Sequence, residues 1–382
     1  MRNVMRRATL LMGLFVVLAA ICGTASAGDG TALPLCENPA YPQSLIPMWS
    51  ILGDNGIECF VGVLPLERST TVVLTPLISV IVKLKNSDGT FIVSDPTKPL
   101  HINHTKNPSY SAFDVTAASP IFATHDYKLG STNLGTLQYG EMTERASFWK
   151  FPGFKLDKWF VELALWPFSP AVTLEIPAGS WALMAGEPDG YVVDATLMGN
   201  FLLEQAKKTP DVLPIFLTYN IGTYTGTLQS ASCCTLGDHE PYVENGVTSF
   251  YIWASYMDPP SARVDVLGLS HEVAEFLHDP FLTNFVRSYP APGTFKLPWD
   301  PPYMYKSCSS LLEVGDATED RPASEIQIPI DTSIMTYHVQ NIATASWFMQ
   351  ASPSFSVDGR YTLRGAIDGE FAGPAPPCNT GQ

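Results

Sequence analysis

Residues 264–280, VDVLGLSHEVAEFLHDP, constrain the fold more than any other segment of this chain. Their apolar side chains recur at α-helical spacing and cover one side of the helix, and the final proline ends it. The opposite side carries His271, Glu275 and His278, with Glu272 beside them. Because residues four apart on a helix lie one turn above the other, His271 and Glu275 can direct their side chains at a single point.

This arrangement is typical of zinc-binding HExxH helices, in which the residues at i and i+4 hold the metal and the first glutamate activates its water. Here the sequence HEVAE at 271–275 has a glutamate in place of the second histidine, and carboxylate oxygen is also a zinc ligand. His278 lies about 10 Å further along the helix axis and cannot share the ion. A pentapeptide of this kind also arises by chance, in which case the helix face carries only solvated, paired charges.

A zinc site of this kind needs a third protein ligand from a distant segment and a fourth position open to water. The acidic residues Glu313 and Asp316 follow the helix in the sequence EVGD. We predict that Glu313 completes a Zn²⁺ site with His271 and Glu275, and that Asp316 is the alternative third ligand.

The same chemistry assigns roles to further residues. In a catalytic site Glu272 would take the proton from the metal-bound water, whose pKa the ion lowers to about 7. A tetrahedral oxyanion then needs a hydrogen-bond donor, for which His338, Tyr337 and His239 are candidates. The sequence DHE at 238–240 is itself predicted as a turn with exposed polar groups, and a metal role for it is the less favoured interpretation.

Two carboxylate ligands would cancel the charge of a zinc ion. Both the acidification of water and the polarisation of a carbonyl would then be weaker than in a site with two histidines and one glutamate. A poor peptidase or a metal site without catalysis therefore remains an open alternative.

Several motifs together resemble a group of secreted, largely uncharacterised bacterial and fungal proteins with a zincin-like helix. The motifs are SHEVAEFLHDPF at 270–281, LLEVGD at 311–316, CCTLGDH at 233–239, and the dipeptides WF at 347–348 and SP at 352–353. The resemblance covers roughly residues 71–365. It implies a zincin-type α+β fold and a metallopeptidase-like protein, in which an edge strand such as 250–256 precedes the metal helix and holds an extended peptide by strand addition.

Two function classes compete with this interpretation. The first is a non-catalytic extracellular binding or structural β-rich protein, favoured if His271, Glu275 and Glu313 lie far apart. The second is a glycoside hydrolase using Glu272 and Glu313, for which carboxyl groups roughly 5 to 10 Å apart are expected.

The remaining sequence predicts an α+β chain with a β-rich amino-terminal unit at 28–135 and a zincin-like α+β domain at 136–382. Residues 69–93 are β-branched and apolar around the turn sequence NSDG, which indicates a hairpin. Further strands are predicted at 172–176, 181–185, 192–197, 213–219, 250–256 and 360–364, and helices at 141–149, 198–208 and 339–350.

The amino terminus predicts export. MRNVMRR is followed by an apolar stretch and by the small residues Ala25, Ser26 and Ala27, so residues 1–27 are predicted to be a cleaved signal peptide. No later apolar run is long enough for a transmembrane helix. We therefore expect a secreted or periplasmic protein without a membrane span after cleavage.

Cysteine usage fits an oxidising compartment, because removal of Cys22 with the signal leaves an even number. Cys36 and Cys59 form the natural local pair. We predict that the neighbours Cys233 and Cys234 reach out separately to Cys308 and Cys378.

Net charge and absent motifs exclude several functions. The chain has 37 Asp and Glu against 22 Lys and Arg, and such a surface repels nucleic acid. The sequence contains no G-x-S-x-G, P-loop or G-x-G-x-x-G motif, so serine hydrolases and nucleotide-binding proteins have no support. A peptide or protein substrate stays open, and the sequence does not indicate an oligomeric state.

Overall fold

Strands make up most of the secondary structure, and the helices are short. The computed structural model describes residues 36, 41–53, 55–166, 169–185, 187, 189–228, 232–291, 307–319, 321–365 and 371–378. The predicted signal peptide and Cys22 lie outside these residues. The predicted α+β class with a β-rich amino-terminal region is confirmed.

The described strands are β1 (Met48–Gly53), β2 (Gly56–Val61), β3 (Thr70–Lys85), β4 (Phe91–Ser94), β5 (His125–Leu129), β6 (Thr132–Leu137), β7 (Phe160–Trp166), β8 (Val172–Ile176), β9 (Trp181–Leu183), β10 (Tyr191–Asp194), β11 (Ile215–Tyr219), β12 (Ile221–Thr225), β13 (Ser232–Thr235), β14 (Gly237–Glu244), β15 (Val247–Tyr256), β16 (Phe285–Ala291), β17 (Ser307–Leu311), β18 (Gln327–Asp331) and β19 (Thr336–Gln340).

The described α-helices are α1 (Ala112–Ala117), α2 (Tyr139–Ser147), α3 (Ala195–Ala206), α4 (Leu267–His278), α5 (Ala323–Ile326) and α6 (Ala345–Phe348). Short 3₁₀ helices lie at Pro65–Glu67, Leu156–Lys158, Asp316–Thr318 and Val357–Gly359. Among these described elements, no helix is long and apolar enough to cross a membrane.

The long strand β3 organises the largest sheet. It pairs in parallel with β7, β8 and β11 and antiparallel with β4, and the sheet continues from β11 through β15 to β14 at the opposite edge. Residues 75–80 of β3 are buried without alternation, as expected for a strand covered on both faces. The predicted hairpin is confirmed, because β3 and β4 enclose a turn in which the Asn86 amide donates to the Thr90 carbonyl at 2.8 Å.

This sheet runs across the predicted domain boundary near residue 135. Strands β3 and β4 precede the boundary, whereas β7, β8, β11, β14 and β15 follow it. Residues 34–382 belong to one compact unit. The β-rich amino-terminal segment therefore supplies the central strand of a sheet that the later segment completes.

Helix α4 lies against β14, β15, α2 and β19 and buries its apolar side. Leu269, Val273, Phe276 and Leu277 are at most 1% exposed. Burial of each such side chain contributes about 1.5–3 kcal/mol, which holds the opposite, polar side of the helix in a fixed orientation. α2 approaches closely at Gly140, where a Cβ atom would lie 2.7 Å from a methyl group of Leu277.

Two secondary-structure predictions near the carboxyl terminus are wrong. The predicted helix at 339–350 is the end of strand β19 followed, after a break, by the single turn of α6, because β19 pairs with β18. The predicted strand at 360–364 is irregular, with one isolated bridge between Ala343 and Thr362. The strand predicted at 250–256 is present within β15, but its expected position at a sheet edge is wrong, since β15 lies between β14 and β11.

The cysteine pairing is confirmed in part. Cys36 and Cys59 lie at disulfide distance with Cα atoms 5.6 Å apart, as predicted. Cys308 and Cys378 lie at disulfide distance from each other, with Cα atoms 5.8 Å apart, so the prediction that they pair with Cys233 and Cys234 is wrong.

The physical reason is the course of the carboxyl-terminal segment. The amide of Cys378 donates to the carbonyl of Ser288 on β16, and β16 pairs with β17, which carries Cys308. The other two cysteines lie on β13, an edge strand of a separate four-stranded sheet.

Candidate metal centre

A cavity of about 440 Å³ lies between the polar side of α4, strand β14 and the segment after β17. Acidic groups outnumber basic ones in its lining, so the cavity attracts cations. The lining carboxylates are those of Asp238, Glu272, Glu275, Glu313, Asp316 and Glu319, and the basic side chains are His239, Arg263 and His271.

His271 is oriented by Gln340 at the end of β19. The Gln340 amide nitrogen donates to the Gly315 carbonyl at 2.8 Å, which directs its oxygen at His271. Nδ1 of His271 therefore donates to Oε1 of Gln340 at 2.8 Å. A hydrogen bond of this kind on one ring nitrogen is the usual way in which a protein orients a metal-binding histidine, and it leaves Nε2 facing the cavity.

Three carboxylates surround Nε2 of His271. Oε2 of Glu275 lies 3.0 Å away, Oδ1 of Asp316 3.6 Å and Oε1 of Glu272 3.8 Å. Burial lowers the pKa of His271, but the charges of Glu275 and Glu272 outweigh burial and raise it well above its usual value. The space between this nitrogen and the carboxylates therefore favours a positive charge.

Both carboxylate oxygens of Glu275 have partners, since Oε2 lies 3.0 Å from Nε2 of His271. Oε1 accepts hydrogen bonds from the backbone amides of Gly315 and Asp316, each at 3.0 Å. Burial opposes its ionisation, but the charge and hydrogen bond of His271 lower its pKa to about 2. Glu275 is thus a fixed, ionised carboxylate.

Two glycines make room for the side chains of α4. A Cβ atom at Gly315 would lie 2.6 Å from Nδ1 of His271, and a Cβ atom at Gly237 would lie 2.6 Å from Oε1 of Glu272. The glycines of the EVGD and LGDH sequences therefore allow the neighbouring backbone to approach the helix closely.

The acidic residues predicted as third ligands fall into different groups. One ligand atom each from His271, Glu275 and Asp316 lie within 4.8 Å of one another, and the same holds for His239, Glu275 and Glu313. Glu275 belongs to both groups. The structure thus places Asp316 with His271 and Glu275, whereas Glu313, the predicted third ligand, lies with His239 and Glu275.

His239 lies on β14 and is buried, so the predicted exposed turn at 238–240 is wrong. Its Nε2 donates to the Asp279 carbonyl at 3.2 Å, and its Nδ1 faces Oε2 of Glu272 at 3.2 Å. Burial lowers the pKa of His239, but the hydrogen bond and charge of Glu272 raise it to about 9. The sequence GDHEPYVE of β14 has no alternation of apolar and polar residues, so local pattern does not identify it as a strand.

Other candidate residues lie elsewhere. Nδ1 of His338 donates to Oδ2 of Asp265 at 2.7 Å, and the Tyr337 hydroxyl donates to the Val115 carbonyl at 2.8 Å. Neither residue lines the cavity. His278 is buried near the carboxyl-terminal end of α4, where its Nε2 contacts the Ser147 hydroxyl at 3.2 Å, and it does not line the cavity.

Gln340 has no signal in the sequence, because an amide in a short strand is not typical of a metal site.

Comparisons of the chain with protein-family models, with curated proteins and with solved structures found no match.

Proposed function

We propose that the protein binds Zn²⁺ through His271, Glu275 and Asp316 and hydrolyses peptide bonds with a metal-activated water. The contact between Nε2 of His271 and the surrounding carboxylates carries this proposal. Because Nδ1 of His271 donates to Gln340, Nε2 of the neutral ring is an acceptor. A carboxylate oxygen is also an acceptor, so a cation must lie between the two atoms. In the metal-free protein that cation is a proton, and a divalent ion would displace it.

The donor atoms and their spacing suit zinc. Tetrahedral zinc with nitrogen and oxygen ligands at about 2.1 Å has ligand atoms about 3.4 Å apart. The separations of 3.0 Å and 3.6 Å from Nε2 of His271 to Glu275 and Asp316 bracket this value. The hydrogen bonds of Gln340 to His271 and of two amides to Glu275 supply the outer support that metal ligands need.

Zinc bound there would supply an acidified water and polarise a carbonyl group. Glu272 lines the same cavity and follows His271 directly, with Oε1 3.8 Å from Nε2 of that residue. This places it to accept the proton of the attacking water. In the metal-free cavity its other oxygen contacts Nδ1 of His239.

A peptide substrate is supported by the strand beside the cavity. β14 is an edge strand, and its residues 237–239 line the cavity. An edge strand offers unpaired backbone groups to which an extended peptide can add as a further strand. This assigns to β14 the role that sequence analysis had expected of 250–256.

A metal-binding protein without catalysis is the second candidate. Glu275 and Asp316 are both anionic ligands, and together they would neutralise the charge of the ion. A neutral centre is a weaker Lewis acid, which favours a structural or storage role over hydrolysis.

Zinc content and peptide hydrolysis separate these candidates. We expect zinc in the native protein and in His338→Ala, whose histidine lies outside the cavity, and at least one zinc ion fewer per chain in His271→Ala. In Glu272→Gln we expect zinc to be retained and hydrolysis of a mixed peptide library to fall by about 10²–10⁴-fold. Zinc retention without hydrolysis in the native protein would favour the non-catalytic candidate, and absence of zinc after loading would contradict both.

A further inference from the structure

We propose that the cavity binds a second divalent cation at His239, Glu275 and Glu313, so that Glu275 bridges two metal ions. This inference deepens the proposed function and rests on it, because the two positions share Glu275. One ligand atom from each of the three residues lies within 4.8 Å of the others, and all three residues are buried.

The first observation is an unpartnered carboxylate oxygen. Glu313 is 7% exposed and lines the cavity, and its Oε1 has no hydrogen-bond partner. A buried carboxylate oxygen without a donor is costly, whereas a cation would satisfy it. The side chain also contacts Glu275, so either a proton or a metal ion must lie between the two carboxyl groups.

The second observation is the orientation of His239. Its Nε2 donates to a backbone carbonyl, that of Asp279, so Nδ1 is the nitrogen that can bind a metal. Nδ1 faces Oε2 of Glu272, another acceptor. His239 thus repeats the arrangement of His271, with one ring nitrogen fixed by a hydrogen bond and the other directed at carboxylates.

The third observation is the charge of the lining. With both histidines as neutral ligands, six lining carboxyl groups face one positive side chain, that of Arg263. Burial raises the pKa of Glu272 and Glu313, so protons neutralise part of this charge in the metal-free cavity. A second divalent ion would replace protons that a first ion leaves in place.

Glu272 lies between the two positions. Its Oε1 approaches His271 and its Oε2 approaches His239. In two-metal hydrolases the ions lie about 3.5–4 Å apart and clamp the attacking and leaving oxygens together. The second cation would offset the weak Lewis acidity of a single centre with two carboxylate ligands.

The competing explanation is protonation. A proton shared by Glu275 and Glu313 would satisfy the same contact without a second metal. The two explanations differ in the number of ions that the full chain binds.

The test is the ratio of metal to protein, measured by plasma mass spectrometry after loading with Zn²⁺ and removal of free ion. We expect two zinc ions per native chain and one in Glu313→Gln. Glu319→Gln is the matched control, because Glu319 also lines the cavity but belongs to neither ligand group. That variant should keep both ions.

A second measurement needs no variant. Native chain loaded with Mn²⁺ should show the spin-coupled electron paramagnetic resonance spectrum of two neighbouring ions. One ion per native chain, lost in His271→Ala and unaffected by Glu313→Gln, would overturn the second site and leave the proposed function standing. No bound metal in the native chain would overturn both.

Discussion

His271 and His278 lie on the same helix, and the fold gives them opposite chemistry. Burial lowers the pKa of His278 to about 4, and its ring packs in parallel with that of Phe148. His271 is only partly buried, with its side chain 15% exposed, and the charges of the facing carboxylates raise its pKa well above the usual value. The comparison teaches that residue type alone does not decide the protonation of a histidine. Glu272 and Glu275 of α4 and Asp316 of a distant segment face His271, whereas an aromatic ring packs against His278.

Removal of each ring should give the largest contrast. In His271→Ala we expect zinc affinity to fall by more than about 100-fold, the upper range for loss of a residue that only orients a ligand. In His278→Ala we expect zinc binding to persist and the free energy of unfolding to fall by about 2–4 kcal/mol. A chelator competition assay and urea unfolding measure the two effects. Equal loss of zinc in both variants would show that the two histidines do not differ in metal binding.

The pH dependence of stability should identify His278 separately. Its pKa is about 4 in the folded protein against 6.5 in the unfolded chain. As the pH falls from 6.5 to 4, the unfolded chain takes up a proton that the folded protein does not, so the free energy of unfolding decreases by about 3 kcal/mol. Above pH 6.5 this group contributes no dependence.

His278→Gln is the matched variant, because an amide can donate to the Ala274 carbonyl and accept from the Ser147 hydroxyl as the ring does. Between pH 7 and pH 4 its loss of stability in urea unfolding should be smaller than that of the native protein by about 3 kcal/mol. An identical loss in both proteins would show that His278 does not titrate as described.

The orientation of His271 depends on Gln340. In Gln340→Leu the acceptor for Nδ1 is lost, and we expect zinc affinity to fall by about 10- to 100-fold. Gln327 on β18 donates to the Ala262 carbonyl and does not line the cavity, so Gln327→Leu should leave zinc affinity unchanged. Isothermal titration with Zn²⁺ compares the two variants. Equal zinc affinities would show that Gln340 does not contribute to metal binding.

A single methyl group should produce the smallest effect. Gly315 has a φ of −80°, which any residue adopts, so the cost of Gly315→Ala comes from the contact of its Cβ with the His271 ring. We expect about a 10-fold loss of zinc affinity in the same titration. In Gly199→Ala on α3 the added Cβ would have no neighbouring atom within 4 Å. This variant should instead raise the free energy of unfolding by up to about 1 kcal/mol.

Local patterns predicted the elements that local forces determine. The amphipathic segment at 264–280 became α4, and the NSDG turn joined β3 to β4 as expected. The sequence predicts a helix at 339–350, but its first residues pair with β18, and periodicity within one segment carries no information about such a pairing partner.

The candidate site shows the same limit. His271, Glu272 and Glu275 could be found from one helical motif because they share a helix face. The sequence indicates His239 only as one of several alternatives and does not indicate Gln340, since these residues come from β14 and β19 and meet α4 only through packing. For the same reason, the choice between Glu313 and Asp316 depends on the path of a loop.

The central claim is that Nε2 of His271 binds a metal ion together with carboxylates. Anomalous diffraction at the zinc edge from zinc-loaded crystals tests it most directly. We predict a peak about 2.0–2.2 Å from Nε2 of His271 and from carboxylate oxygens of Glu275 and Asp316. A loaded crystal without a peak in this cavity, or with His271 still hydrogen-bonded to Glu275 and zinc bound elsewhere, would contradict the account.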